Sequence, residues 1–197
     1  MKIILLFSLN SYFTQIIILA FICFLSLLGC SKYSDEVQTN LIKLKETKSC
    51  TGCDLSGIEL ISFDLKGANL SGANLTGANL RRSDLTGANL TDPNLTDADL
   101  LGVNFTGATL INTNLTRVKL SYANINGVDI SGVILKNAHM NSSKVVNSRI
   151  KNSDMTGANL YNADLTDTKV SKETLKSAVL CKTLMPSGQK DDSGCKR

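Results

Sequence analysis

The chain has no Trp, two Pro and a single His in 197 residues, and aromatic side chains make up only 5% of it. A domain of this size ordinarily fills its core with Phe, Tyr and Trp, so this one must either be unfolded or bury small aliphatic groups in a regular way. Disorder is excluded by the abundance of Leu and Ile and by a charged fraction of only 19%. A net charge of +4 is too small to mark a nucleic-acid binder. A membrane-spanning run is missing as well. The apolar segment Ile16 to Leu28 has 13 residues, short of the roughly 20 that a helix needs to cross a bilayer.

That segment instead has the length of a signal-peptide core, following Lys2 and a polar interruption from Ser8 to Gln15. It ends Leu27-Leu28-Gly29-Cys30, which resembles the lipobox of bacterial lipoproteins. The resemblance implies a signal peptide at 1–29, acylation of Cys30 and a short tether at 30–33, with the mature chain held to a membrane. One acyl chain binds only weakly, so multiple acylation would make the attachment stable. Ser31 after the Cys implies sorting to an outer membrane where one exists. Ordinary cleavage, or an uncleaved anchor, remains the alternative. A short helical pattern follows over 34–49: Val37, Leu41 and Leu44 share a face, Ser34 suits an N-cap, and Asp35 and Glu36 suit the first turn.

From Leu55 to Val170 every fifth residue is apolar. All 24 such slots hold Leu, Ile, Val, Met or, at Phe105, Phe. Chance would give that on the order of 10⁻⁹, so the period is five and neither the 3.6 of a helix nor the 2.0 of a strand. Two residues before 20 of the 24 slots sits a small group, Ala in 10 cases and Ser, Thr or Val in 10 more. Gly recurs two places after it, as at Gly57, Gly67 and Gly72, and Asn112, Asn137, Asn147 and Asn152 take that place elsewhere, which predicts a corner with positive φ. Units that cannot bury their own apolar face must stack.

Runs such as Ala68-Asn69-Leu70-Ser71-Gly72 and Ala73-Asn74-Leu75-Thr76-Gly77 resemble the pentapeptide-repeat family. The resemblance implies an all-β fold, a right-handed quadrilateral β-helix of about six coils over 50–180, with the 34–49 helix as its cap and 181–197 as a closing loop. Residues 20 apart would then lie above one another, bringing together Asp97 with Arg117, Asp99 with Lys119, Asp129 with Arg149 and Lys144 with Asp164, against the like pairs Asp64 with Asp84 and Arg149 with Lys169. Pro93 in a small-residue slot predicts a local irregularity, because it cannot donate to a ladder. Ser143, Ser148 and Ser153 in place of Ala predict weaker packing. Glu173 falls in an inward slot that would not tolerate an unpaired carboxylate, which predicts a break near 171–174.

No catalytic constellation emerges. His139 occupies an outward place, and a filled solenoid offers neither partner nor pocket for a general base. The expected chain is therefore noncatalytic, with no cofactor, metal or small-molecule substrate. With Cys23 in the signal and Cys30 acylated, Cys50, Cys53, Cys181 and Cys195 remain, an even set that outside the cytoplasm favours disulfides. Position in the chain suggests Cys50 with Cys53 and Cys181 with Cys195; a four-Cys zinc site would need both ends of the rod together. A redox role for Cys50-x-x-Cys53 is the alternative.

Function is then left to the surface. One corner collects Ile61, Arg81, Arg82, Leu101, Tyr122 and Tyr161, side-chain types that dominate interface energetics. A second group, Arg149, Lys151, Lys169 and Lys172, could meet an anionic partner such as lipid headgroups or polysaccharide. These features predict an exported scaffold of the bacterial cell envelope, tethered at Cys30, facing the periplasm and binding an envelope protein or polymer. A soluble secreted or luminal repeat protein is the alternative. The family resemblance also raises a DNA mimic that engages gyrase, but residues 51–180 carry 12 acidic and 12 basic side chains, which is no acidic rod, and no nucleic-acid partner is expected.

Overall fold

A computed structural model of the chain describes residues 32–195. The proposed signal peptide and Cys30 lie outside the described residues. Helix α1 (Asp35–Thr47) opens them. Ser34 caps it by accepting the Val37 N–H at 3.3 Å, Asp35 and Glu36 occupy its positive end, and Lys48 ends it in the left-handed region with φ +55°. Val37 and Leu44 are buried and Leu41 packs beside them, so one face of α1 covers the open end of the core. Among the described residues no helix is long and apolar enough to cross a membrane.

From Ser49 the chain winds as a β-helix in which residue i pairs in parallel with residue i+20, from Ser49↔Asn69 to Asp164↔Leu184. The Leu slot supplies the ladder donor: Leu55 to Asn74 O, Leu75 to Asn94 O and Leu95 to Asn114 O, at 2.7–2.8 Å. Its carbonyl then accepts the N–H three residues on, as in Ala88 to Leu85 at 3.0 Å, and closes the corner. The Asn or Asp that precedes the Leu secures the next corner. Asn74 Oδ1, for example, accepts both the Thr76 N–H at 3.2 Å and the Thr76 hydroxyl at 2.7 Å. Within the parallel ladder of the described residues, β1 (Asp129–Ser131) and β2 (Arg149–Lys151) alone extend beyond single bridges, and they pair with each other. Every Leu-type slot from Leu55 to Leu165 is buried, and Val170 is partly so.

Three sequence expectations need correction. The corner residue has positive φ at every pentad from Gly52 to Asp167, not only at Gly and Asn; Arg82, Arg117 and Tyr122 adopt it at +56° to +60°. Each such side chain costs about 1–2 kcal/mol in that region, so stacking imposes the corner and the residue type does not create it.

Pro93 does bring a local irregularity, but in the corner before it and not in the ladder, which stays intact. Its missing N–H belongs to the corner bond, while Asn94 N–H still reaches Ala73 O at 3.0 Å; the freed Leu90 carbonyl accepts the Thr113 hydroxyl of the next turn at 2.8 Å. Of the three serines, Ser148 and Ser153 tie turns together. Ser148 Oγ accepts the Val128 N–H at 3.2 Å and donates to Ile125 O at 2.7 Å, and Ser153 links Val133 N–H and Ile130 O in the same way at 3.3 and 2.8 Å. Ser143 donates to Met140 O within its own corner.

At Glu173 the extended path gives way to α2 (Lys172–Leu175), capped by Ser171. The single turn swings Glu173 into solvent and returns Leu175, 3% exposed, to the interior. An antiparallel hairpin, β3 (Thr183–Leu184) with β4 (Lys190–Asp191), covers the far end.

Candidate functional site: the outer columns

Because the interior is closed, the chemistry available to partners lies on the corners and faces. Of the four expected ion pairs, three form. Arg117 grips Asp97 with Nε–Oδ1 at 2.7 Å and a second bond to Oδ2; Arg149 reaches Asp129 at 3.3 Å and Lys119 reaches Asp99 at 3.8 Å. Lys144 and Asp164 are register partners beyond ion-pair range. Pairs offset by 18 residues, Lys66–Asp84 at 3.3 Å, Arg81–Asp99 at 3.5 Å and Lys136–Asp154 at 3.2 Å, were not expected from the 20-residue repeat. In each, the cation reaches a carboxylate two places before the residue 20 positions on.

Several carboxylates are consequently held below their ordinary value. Asp97 is lowered chiefly by hydrogen bonds from Arg117, Asp84 and Asp154 by the hydroxyls of Thr86 and Thr156, and Asp64 by the Lys66 N–H with help from Lys48. A carboxyl whose folded value lies below its unfolded one stabilises the fold at neutral pH and loses that contribution as pH falls. The thermal midpoint is therefore expected to be flat from neutral pH down to about 5 and to decline below about 4, as checked by melts across that range.

The corner that sequence singled out is one physical edge. Ser62 N–H reaches Arg81 O, Arg82 reaches Leu101, Tyr122 reaches Asn141 and Ser142 reaches Tyr161, at 2.8–3.0 Å, so the six candidates stack in adjoining columns. Tyr122 is 68% exposed, Ile61 51% and Tyr161 39%. Arg82 lies along Gly102 of the next turn. Two members of this edge escaped the sequence reading: Val179, which is exposed, and Lys182, whose ammonium sits 5.5 Å from the Tyr161 ring centroid. Both lie beyond Val170, yet Lys182 is 60 residues after Tyr122 and continues its column.

Arg149, Lys151 and Lys169 line a second feature, a groove of about 790 Å³ shared with Asn152, Ser153 and Ser171; Lys172 is not among its lining residues. His139 is exposed on an outer face. The cysteines are joined as Cys50–Cys53 and Cys181–Cys195. Cys181, Asp192 and Cys195 cluster within metal-ligand reach of one another, but with the two sulfurs bonded together Asp192 alone is left to coordinate.

A family model described as pentapeptide repeats matches residues 53–92, 98–137 and 134–171. Among solved structures, HetL, a pentapeptide repeat protein involved in heterocyst differentiation regulation in the cyanobacterium Nostoc, is 22% identical over 73% of this chain and 87% of its own, with a TM-score of 0.28. Rfr23 from the cyanobacterium Cyanothece is 28% identical over 59% of this chain and 97% of its own, at 0.29. QnrB1, a plasmid-mediated fluoroquinolone resistance protein, is 20% identical over 69% and 84%, at 0.40. No protein with a curated description matches.

Proposed function

The chain belongs to the pentapeptide-repeat family of right-handed β-helices, and from that premise we propose that it is a noncatalytic scaffold of the bacterial cell envelope, exported and tethered through an acylated Cys30. The rod is a quadrilateral solenoid of about six coils, roughly 29 Å tall at 4.8 Å per rung. The observation that carries the scaffold role is the filled interior. From Leu55 to Leu165 each Leu-type slot is buried, and the small slots between them are nearly all buried too, so side chains fill the inside of the rod where a substrate would otherwise be enclosed. Binding therefore falls to the edge of Ile61, Arg81, Arg82, Leu101, Tyr122 and Tyr161. Exposed Tyr and aliphatic groups beside Arg have the composition of interface anchors.

Metabolic labelling with a fatty acid tests the tether. Label is expected on the wild-type chain and absent from Cys30→Ala; an unlabelled wild type would leave a soluble periplasmic, luminal or secreted repeat protein. Affinity capture from detergent-solubilised envelope tests the edge. A specific protein or polymer is expected with wild type, and its retention should fall at least tenfold with Tyr122→Ala and Tyr161→Ala combined, since central aromatic anchors contribute about 2 kcal/mol or more each. Capture that the double variant leaves unchanged would move the contact surface elsewhere.

A further inference from the structure

The parallel ladder is interrupted near the C-terminal end of the rod, and cations crowd the gap. On this face each turn donates to the next: Asn112 to Ser131 O and Gly132 to Lys151 O at the corner, Leu115 to Ile134 O and Leu135 to Asp154 O at the slot. Asn152 and Met155 stand where the next two donors fall. Their acceptors would be Ser171 and Thr174, but α2 coils that segment into a helical turn, and among the described residues neither N–H has an acceptor.

Asn152 opens onto the groove lined by Arg149, Lys151 and Lys169. Arg149 and Lys169 are direct register partners, so two cations occupy neighbouring rungs about 4.8 Å apart. Like charges in that position repel unless an anion lies between them. Asp129 relieves Arg149 from the preceding turn, whereas Lys151 and Lys169 have no ion pair among the described residues. Acidic groups do approach. Glu173 lines the same groove, but its carboxylate is 83% exposed and engaged with Lys176 at 3.7 Å; Asp129 and Asp167 line the adjoining groove beside Lys169. Ser171 and Thr174 hydroxyls, bonded to each other at 2.8 Å, complete the polar wall.

We propose that this gap binds a phosphoryl group. An unused backbone N–H beside two unpaired ammonium groups is the donor set of an anion site, and charge-assisted bonds from Lys are its strong component. A phosphoryl group offers enough oxygens to reach donors on both rungs and the Asn152 N–H together, where a carboxylate has two. The proposal is independent of the scaffold role, because it concerns residues away from the tyrosine edge.

Inorganic phosphate and a phosphodiester polymer share this chemistry, and titrating the full chain in detergent separates them. Amide NMR of Asn152 is followed with inorganic phosphate, with a glycerol-phosphate oligomer, and with chloride at matched ionic strength. A saturable Asn152 shift is expected with phosphate and not with chloride, weakened about tenfold by Lys169→Ala and again by Lys151→Ala, and untouched by Lys119→Ala on another column. Tighter saturation by the oligomer assigns a polymer source, and equal affinity per phosphate assigns the free ion. An Asn152 shift that chloride reproduces, or that both lysine variants leave unchanged, would overturn the site.

Discussion

Phe105→Ala is expected to lower the free energy of unfolding by about 3–5 kcal/mol, the largest effect of any single truncation in the rod. Phe105 is fully buried and is the one aromatic residue in a Leu-type slot, standing a rung away from Leu85 and Ile125 in the same column. Its backbone is fixed on both sides, N–H to Asn124 O at 2.7 Å and carbonyl to the Ala108 N–H at 2.8 Å, so the rungs cannot close over the space a methyl leaves behind. Domain stability is typically 5–15 kcal/mol, so such a loss is a large fraction of the whole. Phe105→Leu restores the residue found in most other slots and is expected to cost under about 1.5 kcal/mol. Urea-induced unfolding of the two variants measures both. A loss below about 1 kcal/mol for Phe105→Ala would mean that the column collapses laterally, contrary to close packing.

The same stacking explains which features could be read from the residues. The period of five was legible because the inward slot admits few residue types, and α1 was legible because its cap and its apolar stripe are local. The left-handed corner was only half legible: Arg82 and Tyr122 adopt it because the turns on either side hold their backbone, a constraint that composition does not record. Pro93 and the inward serines defeated local rules for a related reason. The hydroxyl that rescues Leu90 belongs to Thr113, and those of Ser148 and Ser153 serve corners of the preceding turn, so donor and acceptor lie 23 residues apart. Among candidate sites, the tyrosine edge followed from 20-residue spacing alone. For the groove at Asn152 the cations Arg149, Lys151 and Lys169 and the break near 171–174 were legible too, but the open N–H was not, because it exists only where α2 replaces an extended pentad.

Replacing Cys181 and Cys195 together by Ser is expected to cost about 3 kcal/mol on the chain-entropy account of a loop of this length, and to act at one end of the rod. Cys195 follows Gly194, whose N–H bonds Leu180 O at 2.6 Å and where any side chain would press on the Leu180 backbone. The tail is thus clasped to the rod at Leu180 and Cys181 and holds the hairpin whose Leu184 carbonyl accepts the Leu165 N–H at 2.8 Å. In a solenoid each unit contacts only its neighbours, so an end released from its clasp frays before the middle melts. Hydrogen exchange should accordingly speed up at Leu165 and Leu184 in the double variant and stay unchanged at Leu75 and Leu95, whose acceptors lie several turns away. Uniform acceleration along the rod would instead show that the coils unfold as one unit and that the closing segment, despite its position, contributes to the stability of the whole. Reduction of the wild-type chain adds the Cys50–Cys53 bridge to the comparison: a larger loss than that of the double variant measures what this bridge contributes at the opposite end.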